Sequence, residues 1–294
     1  MPTSKQRREA ARRHLERQLV RRQQREVRRR RMNVIASVIG VAVVIAVVTI
    51  TTVMLRHDNK PANAAASDSN STSASPSASS TASPLPSRAA PAIKARAAKK
   101  TTGPCKYAED ASKLTQGNLF DVGLPPDPKP TPTAARTAVF TTNQGTITVA
   151  LDAKDAPCNV QSIVYLISKK FYDNTPCPRS VNSGIFVVQC GDPTGTTAGG
   201  PTYHTKDENL AKASYTVGTL AMANSGANTN GSQFFFITKD SNGALGKNYT
   251  VIGHVTAGLD ILQKVAEGGD DGSNQAGGGK PNIPLYFKTV QLKA

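Results

Sequence analysis

The sequence predicts a mainly β fold over residues 136–294, a closed antiparallel barrel with helices capping its ends. Three observations predict it. Short runs rich in β-branched and aromatic residues recur at 138–142, 146–151, 184–190, 219–223, 234–238, 250–255 and 285–292, with turn-forming residues between them. Only 157–170 and 259–267 place apolar residues at helical spacing. Most of the formal charge of +16 also sits at one end. Residues 1–31 hold Lys5 and 12 arginines against Glu9, Glu16 and Glu26, whereas 136–294 hold 13 basic and 11 acidic residues. A fold built throughout to bind nucleic acid would carry its basic residues on the folded part. Nucleic acid is therefore not an expected partner.

Taken in order, the chain opens with a basic tail, 1–31, and continues into an expected membrane span, 32–56. Within that span, residues 34–55 contain no charge, and 22 helical residues reach about 33 Å, enough for a hydrocarbon core of about 30 Å. A cleaved signal peptide is the weaker reading, because its apolar region runs to about 7–15 residues. Arg28 to Arg31 directly precede the run, which places the N-terminus in the cytoplasm and the rest of the chain outside. The tail would then lie against anionic lipid head groups. Residues 57–135 read as linker. Its stretch 61–100 is rich in Ala, Ser, Pro and Thr and is expected to be a flexible spacer. Cys105 and a helical turn or two around 107–114 are expected in a short segment before the barrel. Pro125, Pro126, Pro128, Pro130 and Pro132 stiffen the last part of the linker into an extended form.

The barrel begins with a hairpin, 138–142 and 146–151, around Asn143-Gln144-Gly145. Pro157 opens a helix that sets Val160, Ile163, Val164 and Ile167 on one face. The strand segments, a second helix at 259–267 and a closing strand at 285–292 complete one domain of ordinary size, expected to be monomeric.

The order of motifs is more specific than the pattern. Phe171-Tyr172-Asp173, Arg179, then Phe186-Val187-Val188-Gln189-Cys190-Gly191-Asp192 and Gly199-Gly200-Pro201 come first. Leu220-Ala221-Met222-Ala223-Asn224, Asn228-Thr229-Asn230-Gly231-Ser232-Gln233-Phe234-Phe235 and Tyr249-Thr250-Val251-Ile252-Gly253 come after them. This series resembles the cyclophilin family of peptidyl-prolyl isomerases across essentially all of 136–294. The resemblance implies an eight-stranded barrel capped by two helices, with a groove for proline-containing polypeptides on its outer face. It implies Arg179 as the catalytic arginine and Gln189 as its orienting partner. Phe186, Val187, Phe235 and Leu245 would wall the proline pocket, Ala223 and Asn224 would pair with the peptide, and Gln233 and Tyr249 would complete the groove. The chain departs from the family at Cys177-Pro178 before Arg179, and two extra residues separate Arg179 from Phe186.

The chemistry fits those residue types. An X–Pro bond rotates over a barrier of about 18–20 kcal/mol without breaking a covalent bond, so no cofactor, metal or nucleophile is expected. The needs are an apolar seat for the ring and a fixed donor near the prolyl nitrogen, and arginine is a permanent cation with a rigid fork of donors. His14, His57, His204 and His254 show no metal-ligand spacing. The competing reading is a tethered proline-peptide scaffold with little turnover, in which Arg179 is displaced. Cys105, Cys158, Cys177 and Cys190 are an even count outside the membrane and favour disulfides, with three connectivities open. The resemblance implies Cys158 with Cys177 and Cys105 with Cys190.

Overall fold

In the computed structural model, which describes residues 85–128 and 136–293, two short strands precede the barrel: β1 (Ala108–Glu109) and β2 (Leu119–Phe120). The hairpin then forms as β3 (Arg136–Thr142) and β4 (Thr146–Leu151), in register from Arg136 opposite Leu151 to Thr141 opposite Thr146. Helix α1 (Pro157–Ser168) comes next. Ala156 gives α1 no side-chain cap. Instead the Glu208 carboxylate accepts hydrogen bonds from the Cys158 and Asn159 N–H groups at 3.2 and 2.9 Å, satisfying donors that a helix start leaves open. Strands β5 (Thr175–Pro176), β6 (Arg179–Ser183), β7 (Ile185–Cys190), β8 (Gly200–Pro201), β9 (Tyr203–His204), β10 (Thr219–Met222) and β11 (Phe234–Ile237) occupy the middle of the chain. A four-residue helix α2 (Asn242–Leu245), strand β12 (Val251–Ala257), helix α3 (Leu259–Glu267) and strand β13 (Tyr286–Lys293) close it.

Nine strands form one sheet in the order β5-β13-β3-β4-β12-β10-β11-β7-β6, all neighbours antiparallel. The expected closed ladder of eight strands is corrected here. The ends of the order, β5 and β6, are two pieces of one run, residues 175–183, parted by Cys177-Pro178. Proline has no N–H to offer a ladder, and the two pieces pair with different neighbours: β5 with β13, β6 with β7. The sheet therefore curls round a core while its hydrogen-bonded ladder stays open. Inside it Phe140 packs against Phe234, Phe236 and Phe287 with ring centroids 5.8, 5.9 and 5.0 Å away. Helices α1 and α3 add Val160, Ile163, Leu166, Leu262 and Val265 to the same core. Each buried ring or branched chain contributes about 1.5–3 kcal/mol.

The segment before the barrel differs from its reading as linker. Residues 85–128 lie against the barrel, so the flexible spacer expected through residue 100 does not extend over 85–100. Arg88 donates to the Phe171 carbonyl at 2.6 Å and stands over the Phe120 ring. Strand β1 pairs with β9, and β2 runs parallel to β8. The helical turn expected at 107–114 is β1 continued by irregular turns. Small residues dominate the composition, but scattered anchors decide the packing: Tyr107 and Leu114 are fully buried. Residues 34–55 lie outside the described residues, and among the described residues no helix is long and apolar enough to cross a membrane.

Two disulfides form, and both pairings differ from those the resemblance implied: Cys105 bonds Cys158 and Cys177 bonds Cys190. The reason is the pairing of strand β6. It makes a hairpin with β7 that sets Arg179 opposite Gln189, bringing Cys177 beside Cys190. Cys158 instead faces the pre-barrel segment, where Tyr107 donates to its carbonyl at 2.9 Å.

Glu109 holds that segment. Its carboxylate accepts from both Arg96 terminal nitrogens at 2.6 and 2.8 Å, from the Lys99 N–H at 2.6 Å and from the Thr202 hydroxyl at 2.7 Å. Burial alone would raise its pKa; the Arg96 guanidinium and the other two donors outweigh burial and hold the carboxyl at about 2. A folded value below the ordinary one contributes stability that is full above about pH 4.5 and fades as pH falls toward 2. Glu109→Gln is expected to cost about 1–3 kcal/mol at pH 7, with a smaller cost at pH 3. Urea unfolding at both pH values measures this, and an equal cost at both would place the acid sensitivity elsewhere.

Candidate active site

The strands that wrap the core present a second apolar surface on their other face, because successive side chains alternate. On β11, Phe234 and Phe236 point into the barrel while Phe235 and Ile237 join an outer cluster. On β10, Leu220 and Met222 are inside and Ala221 outside; on β7, Val188 and Cys190 are inside and Val187 outside. Ile185, Ala223, Leu245 and Tyr249 pack onto this outer cluster. Above it opens a cavity of about 340 Å³ whose walls include Val187, Phe235, Leu245, Tyr249 and the aliphatic Ile185. Phe235 and Tyr249 meet edge to face at 5.2 Å, which fixes the floor.

Arg179 stands at the polar rim. The β6–β7 register puts it beside Gln189, whose Oε1 accepts from Arg179 Nη1 at 2.9 Å. Gln189 in turn donates to Gln233 Oε1 at 2.8 Å, and Gln233 donates to the carbonyls of Thr197 and Gly199 at 3.1 and 2.9 Å. On its other side the guanidinium is seated by a loop: Nε donates to the Gly277 carbonyl at 2.8 Å and Nη2 to that of Ala276 at 3.0 Å. Half-burial lowers the arginine's pKa, opposed by Tyr249 and Asp270. The group nonetheless stays a cation at neutral pH. Three of its five N–H donors are engaged, which leaves two for a ligand.

The loop has a rigid cause. Ser180 and Gly279 exchange backbone hydrogen bonds of 2.8 and 3.1 Å, and Asp271 Oδ1 accepts from the N–H groups of Ser273 and Lys280. Gly278 has a φ of +71°, and a β-carbon there would sit 2.0 Å from the Ser180 carbonyl oxygen, so only glycine fits.

Eight of the ten expected site residues line the cavity: Arg179, Val187, Gln189, Ala223, Asn224, Phe235, Leu245 and Tyr249. Two do not. Phe186 is corrected: strand alternation turns it away from Val187, and its ring lies under Lys239 Nζ at 4.9 Å. Ile185 takes its place. Gln233 lines an adjoining cavity and reaches the site only through Gln189. Sequence reading missed Thr197, Asn274, Ala276 and Gly277; the three consecutive glycines at 277–279 were the visible signal of a loop needing unusual backbone. Among the described residues no group of three or more His, Cys, Asp or Glu side chains could hold a metal ion.

Residues 137–284 match the family model for cyclophilin type peptidyl-prolyl cis-trans isomerase/CLD. The chain belongs to the cyclophilin-type peptidyl-prolyl cis-trans isomerase family. It is 38% identical to the probable peptidyl-prolyl cis-trans isomerase B of Mycobacterium tuberculosis over 203 residues, covering 64% of this chain and 63% of that protein. The protein of the same description in Mycobacterium leprae is 39% identical over 202 residues, covering 64% of this chain and 65% of the relative. The chain thus spans a little under two thirds of those relatives. A crystal structure of a Cryptosporidium parvum cyclophilin type peptidyl-prolyl cis-trans isomerase aligns with a TM-score of 0.49 at 27% identity, covering 55% of this chain and 99% of that one.

Gly278→Ala is expected to push the loop off Ser180 and loosen the arginine's seat, at a cost of about 1–3 kcal/mol in stability. The Arg179 Nε–H resonance reports it directly. In the native chain it should be protected from exchange, and in the variant it should move toward a free guanidinium; an unmoved signal would mean the loop does not hold the side chain.

Proposed function

We propose that the chain accelerates cis–trans isomerisation of X–Pro bonds in polypeptides. The observation that carries this is the fixed guanidinium of Arg179, with two unengaged donors at the rim of an apolar cavity. The prolyl ring would sit against Phe235, Val187 and Leu245, while backbone groups near Asn224 hold the flanking chain. As the amide twists, its nitrogen lone pair localises and becomes a better acceptor. A guanidinium donor there stabilises the twisted state more than either planar one, which is what lowers a barrier. Each 1.4 kcal/mol gained this way is about tenfold in rate. The scaffold reading required a displaced Arg179, whereas the side chain is bonded to Gln189. Arg179→Ala removes the donor but no core contact, so turnover in a protease-coupled assay on a cis-prolyl peptide should fall about 100-fold or more with the melting temperature little changed. A fully active variant would assign the barrier lowering to another group.

The same reading extends to place. Exported polypeptides outside the cytoplasmic membrane would be the substrates, the uncharged run 34–55 the retained anchor, and the basic tail a cytoplasmic contact with anionic lipids. Two disulfides suit an oxidising compartment. A Pro2→Cys chain supplies one free thiol at the N-terminus. On intact cells an impermeant maleimide should leave it unlabelled until the membrane is opened; immediate labelling would invert the topology.

A further inference from the structure

We propose that Asp192 is a positioning residue for Arg179: its buried carboxylate holds the loop whose carbonyls decide which way the Gln233 and Gln189 amides point. This rests on the isomerase reading above. Asp192 lies two residues past β7 and is fully buried. Residues 193–199 fold around its carboxylate. Oδ1 accepts from the N–H and the hydroxyl of Thr194 at 2.8 and 2.7 Å, and Oδ2 accepts from the N–H groups of Thr196 and Gly199, both at 3.1 Å. The Thr196 hydroxyl adds a longer contact to Oδ2 at 3.4 Å. Hydrogen bonds to a carboxylate are about twice as strong as neutral ones, so this one side chain dominates the loop. The loop can close so tightly because residue 199 is glycine: a β-carbon there would sit 2.1 Å from Asp192 Oδ1.

With those N–H groups turned in, two carbonyls of the same loop are turned out. The Thr197 and Gly199 carbonyls both accept from Gln233 Nε2, at 3.1 and 2.9 Å. The two ends of a side-chain amide are nearly alike in shape, so their partners decide which end faces where. A carbonyl only accepts, and the end of Gln233 that meets two of them must be its NH2. Its Oε1 is thereby aimed at Gln189 and needs a donor, which Gln189 Nε2 supplies at 2.8 Å. That leaves Gln189 Oε1 facing Arg179 Nη1 at 2.9 Å. Reversing either amide would set donor against donor or acceptor against acceptor along the path. An acceptor beside the guanidinium fixes its rotation, whereas a donor there would turn it away. The barrel strands place the two glutamines, the loop sets their polarity, and Asp192 sets the loop. The Gly277 and Ala276 carbonyls hold the other nitrogens of the guanidinium independently of this path.

The test uses the full chain, a protease-coupled assay on a cis-prolyl peptide, and the N–H resonances of the Arg179 guanidinium. Asp192→Asn keeps the size but turns an NH2 toward N–H donors, so one side of the loop loses its acceptor. Its kcat is expected to fall about three- to tenfold with KM changed less than about twofold, because the arginine acts on the twisted state. The Nη1–H signal should move toward that of a free guanidinium, while the Nε–H signal, held by Gly277, stays in place. Gln233→Met cuts the path at similar volume and should cost about as much. The double variant discriminates: if Asp192 acts through Gln233, adding Asp192→Asn to Gln233→Met lowers kcat no further. A merely structural aspartate would lower kcat by the same factor in both backgrounds. That result, or an unmoved Nη1–H signal in Asp192→Asn, overturns the proposal. If Asp192→Asn fails to fold, Thr194→Val removes one donor to the carboxylate at a half-buried position, and the same cycle is run on its expected loss of about two- to threefold. If the native chain does not turn over the peptide, the isomerase reading falls, and the Nη1–H signal decides the positioning by itself.

Discussion

Arg179 and Gln189 face each other across the last pair of strands, and that single register organises both the chemistry and the covalent framework. It brings the guanidinium within 2.9 Å of the amide that orients it. It places Cys177 and Cys190 just outside the same pair, where they bond. It sets Ser180 against Gly279, which positions the carbonyls that seat the arginine from the other side. A shift of one residue would send Gln189 into the barrel and Val188 onto the pocket floor. The disulfide opposes that shift covalently.

Much of the barrel was legible because its strands alternate and its two longer helices are bounded by proline or glycine. The β4 and α3 boundaries, 146–151 and 259–267, coincide with those read from the residues. The site was legible through motif order more than through any single side chain. What escaped the sequence escaped for physical reasons. Strand β6, with the sequence RSVNS, is short and polar at all but one position, and nothing in its composition distinguishes it from a loop. Without it the Cys177–Cys190 hairpin could not be drawn. Phe186 was placed in the pocket by the resemblance, but the side of the strand it takes here is set by register.

The pre-barrel segment shows the limit of composition as a guide. Its anchors are widely spaced, so no window of the sequence looks like a packed element. Yet Arg88 and Tyr107 bond backbone carbonyls of the barrel, Arg96 pairs with Glu109, and Leu114 is fully buried. The likeness to the mycobacterial proteins covers a larger share of this chain than residues 136–294 make up, so it too takes in residues outside the barrel.

The Cys105–Cys158 bond ties residues 53 apart in sequence, and it spans the whole passage from segment to first helix. A cut in the backbone between β2 and β3 would leave one molecule, with the segment held as a covalently attached ligand of the barrel. Its effective concentration would be set by the bond rather than by the connecting chain. The connection from β2 to β3 is thereby relieved of holding the two parts together, while the bond keeps the segment against helix α1.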